Sequence, residues 1–334
     1  MSIEIEEFTA DQRSEWDELV EQSPGATPFH RFALLEVIAD HAGATLHPLA
    51  GYKGQEPVGL FPVFVVRKGP VATAFSPPPS LKITYLGPTL LNVAKLKPSK
   101  AERRNRRFVE GCLDYVDEQF GPRYVHVRTH TRYRDTRPFT WSGYESTSNF
   151  TYVVDLSDGP DALFDRFSRD ARKNVRDARD ADCVVEERGV DAARTIVDQV
   201  RQRHEEQDEW YPLTTDFVTD LYERAPEGVV RPYVCEVDGR TVGGSLTLEH
   251  GDTAYGWQGV VKPDVDLDVN DVIHWRIIND VVDRGVTRYD LVGANEPRLS
   301  RYKSKFAPTL ETYEGLEKSS PGMSLAAKTY KRLR

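Results

Sequence analysis

The chain has 334 residues, 39% hydrophobic and 10% aromatic, which is too long for one ordinary core and apolar enough for two. A formal charge of -9 excludes general coating of nucleic acid, because a sequence-independent phosphate binder carries a basic excess. No tract reaches the ~20 apolar residues of a membrane span, and the acidic start Met1 to Glu7 lacks a basic-then-apolar leader pattern, so a cytoplasmic chain is expected.

Residues 3–8 alternate apolar and charged side chains as an edge strand does, and Thr9 then caps a helix over 11–21. A helix over 31–41 stops at Gly43, and strands at 45–52 and 56–66 flank the turn at Lys53, Gly54 and Gln55. Prolines make 75–80 a loop, followed by a strand near 81–86, a helix from about Ser99 to Phe120 and a strand at 123–128. The second half opens with a strand at 150–156 and one long charged helix over 160–182, with Pro160 in its first turn. Helices at 190–207 and 214–225 lead to strands 230–237 and 240–249, joined by the hairpin signal Asp238-Gly239. A strand at 252–260, a helix at 268–284 ending at Gly285, a strand at 287–292, a short helix near 298–305 and a strand at 309–315 complete the chain. We expect two α/β domains, 1–149 and 150–318, and a basic tail at 319–334. Cys112, Cys183 and Cys235 are far apart in sequence and have no clustered histidines, which predicts reduced thiols and no metal site.

His274-Trp275-Arg276, Gly285, the strand Tyr289-Asp290-Leu291-Val292-Gly293 and the segment Tyr302-Lys303-Ser304-Lys305-Phe306 form one block. It resembles the C-terminal half of FemAB-type peptidyl-aminoacyl transferases and related acetyltransferase domains, which carry a Trp-bearing helix, a Y-D-[LFI]-x-G strand and an F-K-x-x-F segment. The resemblance implies two tandem acetyltransferase-type (GNAT) α/β domains with mixed central sheets. It also implies transfer of an acyl or aminoacyl group to an amine-bearing small molecule or peptide, without metal, tightly bound cofactor or covalent intermediate. The implied donor is an aminoacyl-tRNA or an acyl-CoA, so charged tRNA is a candidate partner and DNA is not. An acyl-CoA-dependent N-acetyltransferase and a non-catalytic binding protein on the same fold are the alternatives. Two departures stand out. Where a pyrophosphate loop belongs, the stretch from Gln258 to Asp268 holds three aspartates, which repel a pyrophosphate, and Ala307 replaces the family's final glycine.

Aminolysis of an activated ester needs a polarised carbonyl and a place for developing negative charge. The resemblance assigns that place to Lys303, whose bland alternative is a solvated lysine beside Lys305. Arg166, Arg169, Arg172, Lys173, Arg176 and Arg179 recur every three or four residues, with Arg172, Lys173 and Arg176 the main candidates for a phosphate rail, or else helical ion pairs with interleaved aspartates. Trp257 and Gln258 lie on a central strand, as core or as the lining of an acyl pocket. His274 is read as titrating near neutrality or as a histidine satisfied in the domain interface. Asp290 orients the amine or ties the Gly293 turn, with Asn295 in the following loop.

Overall fold

The computed structural model describes residues 2–180, 183–261, 268–320 and Gly322. Contacts divide the chain into two units, Met1–Asn149 with Thr312–Arg334, and Phe150–Glu311. The first comprises β1 (Glu4–Glu7), α1 (Arg13–Glu21), α2 (Phe32–Ala42), β2 (Thr45–Lys53), β3 (Glu56–Lys68), β4 (Val71–Ser76), β5 (Thr89–Leu90), α3 (Pro98–Phe120), β6 (Tyr124–Arg128) and α4 (Arg137–Trp141), with the first part of β7 (Glu145–Asp155) and the last of β13 (Thr309–Ser319). Its strands run in the order β1-β2-β3-β4-β6-β13, with β5 on β3. The β4–β6 pair is parallel and the β6–β13 pair antiparallel, so this sheet is mixed.

Helix α3 lays Phe108, Cys112, Leu113 and Val116 on that sheet, a stripe with helical period. Gly59 permits the close approach, since a Cβ there would stand 2.6 Å from the Phe108 ring. The strand expected near 81–86 is absent. Instead β4 covers Val71–Ser76, and after Pro77 and Pro78 remove two ladder donors, Ile83 and Leu86 reach the core without strand pairing.

The second unit takes the rest of β7, then α5 (Pro160–Arg166), α6 (Arg169–Asp180), β8 (Cys183–Glu187), α7 (Val190–Glu205), α8 (Thr215–Arg224), β9 (Val230–Val237), β10 (Arg240–His250), β11 (Thr253–Val261), α9 (Val269–Asp283), β12 (Arg288–Asp290), α10 (Pro297–Lys303) and the start of β13. Its order is β7-β12-β11-β10-β9-β8. Only β11–β12 is parallel among the pairs of this sheet in the described residues. Asp238 and Gly239 both take positive φ, 50° and 72°, as a two-residue hairpin with the strands' twist requires. Ile273, Ile277, Ile278 and Val281 of α9 are buried against the sheet. Cys183 and Cys235, distant in sequence, meet as free thiols with sulfurs 3.4 Å apart.

Two expectations need correcting here. The single helix over 160–182 is two, because Phe167 turns to ψ 154° and Ser168 accepts a hydrogen bond from the Ala171 amide at 3.1 Å, an N-cap that starts α6 afresh. The last strand runs to Ser319, past the expected 315. Its residues Gly315–Ser319 pair with β6, and Leu316 is fully buried in the first unit's core, so the chain from Thr312 belongs to that unit. Nearly all of the basic tail, and Lys262–Leu267 of the aspartate-rich stretch, lie outside the described residues.

Candidate active site

Strands β11 and β12 pair for only three residues, Thr253–Tyr255 with Arg288–Asp290. Beyond Tyr255 the first continues as a strand to Val261, while the second ends at Asp290 and gives way to the turn Leu291–Ala294. That turn is held from several sides. The Asp290 carboxylate, 1% exposed, accepts from the Thr151 hydroxyl at 2.6 Å and the Val292 amide at 2.8 Å. The Thr151 hydroxyl in turn accepts from the Gly293 amide at 2.9 Å. Val292 takes φ 50° and Gly293 φ 87°; the first is costly for a β-branched residue, by about 1–3 kcal/mol, and persists because these bonds over-determine it.

Lys303 ends α10, where a cation complements the helix dipole. Its Nζ donates to the carbonyls of Val292 at 2.7 Å and Gly293 at 2.9 Å, and burial pulls its pKa down to about 8 against the opposing pull of Asp290 and Glu296. An ammonium has three N–H donors, so one remains beyond these two bonds. His274 lies beside it. Burial first and the Lys303 charge second push the imidazole pKa down to about 3, and Nδ1 shares a hydrogen bond with the Tyr289 hydroxyl at 2.9 Å. The expectation of a histidine titrating near neutrality is therefore corrected, because an enclosed ring next to a cation stays neutral. Gly256 makes room for this pair, as a Cβ there would stand 2.8 Å from the Tyr289 hydroxyl.

A second polar group adjoins the first. Asn174 of α6 donates to Asp268 at 2.8 Å and to the buried Asp271 at 2.7 Å, and Lys305 pairs with the same Asp271 oxygen at 3.3 Å. The Tyr302 hydroxyl is held well above its usual range by burial and by the Asp271 charge. Sequence reasoning missed Asn174 and Asp271, and gave Tyr289 no role of its own although the motif block contains it. Only the place of Asp271 in the first turn of a helix marked it. The Lys305 carbonyl accepts from the Ser168 amide at 2.8 Å, so the break between α5 and α6 and the Lys303 segment brace each other. Ala307, which stands where the resembled segment has a glycine, takes a left-handed backbone with φ 53°.

Other candidates stand elsewhere. Arg172 donates to the Asp165 carbonyl at 3.2 Å, the Arg176 guanidinium stacks 5.7 Å from the Phe164 ring, and Lys173, largely exposed, pairs with Asp177 at 3.5 Å. Trp257 is buried edge-on against Phe217, a core position. The β10–β11 register shifts between Leu246 and Thr247, and the extra residue is Trp257. This bulge turns Trp257 and Gln258 to one side, where the Gln258 carbonyl oxygen accepts from the Tyr211 hydroxyl at 2.8 Å. Asn295 accepts from the Phe150 amide at 2.9 Å, a loop tie. No group of three or more metal-ligating side chains occurs among the described residues.

Residues 165–304 match the family model described as Acetyltransferase (GNAT) domain. No curated protein matches the chain. Among solved structures, FemX shares 12% identity with a TM-score of 0.72 over 93% of this chain and 96% of its own. The C-terminal domain of a putative lysylphosphatidylglycerol synthetase from Agrobacterium fabrum shares 12%, with a TM-score of 0.59 and 97% of each chain covered. A tandem GNAT protein from the clavulanic acid biosynthesis pathway shares 11%, with a TM-score of 0.52 over 95% of this chain and 98% of its own. At these identities the likeness is one of fold, two GNAT-type units in tandem.

Proposed function

We propose, on the premise that residues 165–304 are a GNAT-type acetyltransferase domain and the chain accordingly an acyltransferase, that it joins an activated acyl or aminoacyl group to the amine of a small molecule or peptide. The observation that carries this reading is the Lys303 ammonium, drawn into the protein beside a parallel strand pair that opens after three residues. In the reaction a neutral amine attacks the donor carbonyl and a tetrahedral oxyanion forms. The carbon–oxygen or carbon–sulfur bond to the donor then breaks, the nitrogen gives up one proton and the departing oxygen or sulfur takes one. The remaining N–H of Lys303 stabilises the oxyanion, in a setting where little water competes. Asp290 and His274 act as positioning residues, the first through the Val292 turn and the second through Tyr289. Arg172 and Arg176 meet donor phosphate, which both charged tRNA and acyl-CoA carry.

The test incubates the chain separately with charged tRNA and with acyl-CoA, following stabilisation against melting and then amide formation on amine acceptors. Lys303→Ala is expected to remain folded and to lose about a hundred- to thousandfold in kcat. Full turnover in that variant would leave Lys303 as a brace of the Val292 turn only. Stabilisation by neither donor would favour a non-catalytic binding protein.

A further inference from the structure

Arg128 closes β6 in the first unit, one residue past the point where Ser76 and Val127 end the parallel ladder. Its surroundings are aromatic. Tyr85 and Tyr313 meet edge to face at 4.8 Å, His130 lies 5.4 Å from the Tyr85 ring, and the ionisable groups that bear on Arg128 are the phenols of Tyr313, Tyr85 and Tyr124, not carboxylates. Among the described residues no carboxylate pairs with it, and its Nε is fully hidden with no hydrogen-bond partner. The nearby Glu314 turns away, accepting from the hydroxyls of Ser146 and Ser148 at 2.7 and 2.8 Å. Burial depresses the guanidinium below its ordinary value. Yet arginine cannot shed its proton in a protein, so the cost of a half-buried, uncompensated cation persists until an anion reaches it. In the turn after β6, the Thr131 hydroxyl is also buried without a partner.

We infer that Arg128, framed by Tyr85 and Tyr313, is the anchor of an oxyanion site in the first unit, taking the phosphate or carboxylate of a small molecule. A planar guanidinium offers paired donors to either group, and the tyrosines exclude the water that would otherwise screen the contact. Nothing in this site takes part in the acyl transfer proposed for the second unit.

Melting of the full chain is measured at constant ionic strength during titration with inorganic phosphate and, separately, with acetate. We expect a saturable rise with at least one of them, and the arm that responds names the source. Arg128→Met should weaken that binding roughly tenfold or more, the worth of one charged hydrogen bond. Without added anion it should melt at or above the parent temperature, because an unpaired charge has been removed. Arg128→Lys keeps the charge but not the fork, and should bind more weakly than the parent even if the Met variant fails to fold. A flat titration in both arms overturns the site. So does an unchanged anion response in the Lys variant, or a folded Met variant that melts well below the parent without anion.

Discussion

Lys303 combines three conditions that favour stabilisation of a developing oxyanion: enclosure, two fixed carbonyl acceptors and one donor to spare. Its folded pKa of about 8 lies below the ordinary 10.5, so between these values the unfolded chain holds the extra proton. The buried charge thus costs stability below about pH 8, and that cost is relieved as pH rises toward 10.5. If the charged form does the work, the kcat ratio of wild type to Lys303→Arg should fall as pH climbs through about 8, since arginine stays charged. A ratio that rises there would point to a base instead. His274, with its pKa pushed from 6.5 to about 3, carries the same sign, so stability is lost as pH falls through that window. The Lys303 position was legible because a short motif marks it. Its environment was not, since the acceptors Val292 and Gly293 come from another loop. Its neighbour Lys305 has a different task, since it pairs with the buried Asp271.

At the scale of elements, α6 sorts its cations by what lies under them. Lys173 faces solvent and its i,i+4 pair with Asp177 is worth about 0.2–0.5 kcal/mol, so Lys173→Ala should barely move the melting temperature. Arg172 and Arg176 lie instead along Asp165 and Phe164. Reversing both to Glu should weaken donor binding much more at low salt than at high salt, as a screened phosphate contact does. Unchanged binding with a small loss of stability would return them to the role of helix packing. The start of α6 could have been read from Ser168 after an apolar Phe167, a capping signal that the surrounding charge pattern overran. The bulge at Trp257 had no such signal. A bulge exists only relative to a partner strand, and plain alternation along β11 says nothing of Gln258 joining Trp257.

For the whole molecule, the first unit is discontinuous in sequence. Its ladder from Gly315 to Ser319 against β6 and the buried Leu316 come from the far end of the chain. Residues 1–149 expressed alone should therefore lack a cooperative thermal transition by circular dichroism and be cut quickly by protease. Adding a peptide that spans β13 should restore protection in part, whereas a sharp transition for 1–149 alone would show that the strand is dispensable. The sequence by itself determined the class of most elements, the Asp238-Gly239 hairpin, the prevailing alternation of helix and strand, and the lysine motif. These are properties of a window of a few residues, where periodicity and turn chemistry act. Only the tertiary structure decided that β11 and β12 part after three residues, that β13 closes the first unit, and that His274 stays neutral. Strand partners, and the burial that sets the charge of a side chain, depend on residues far outside such a window, from Lys303 beside His274 to Gly315 beside Arg128, and no local pattern records them.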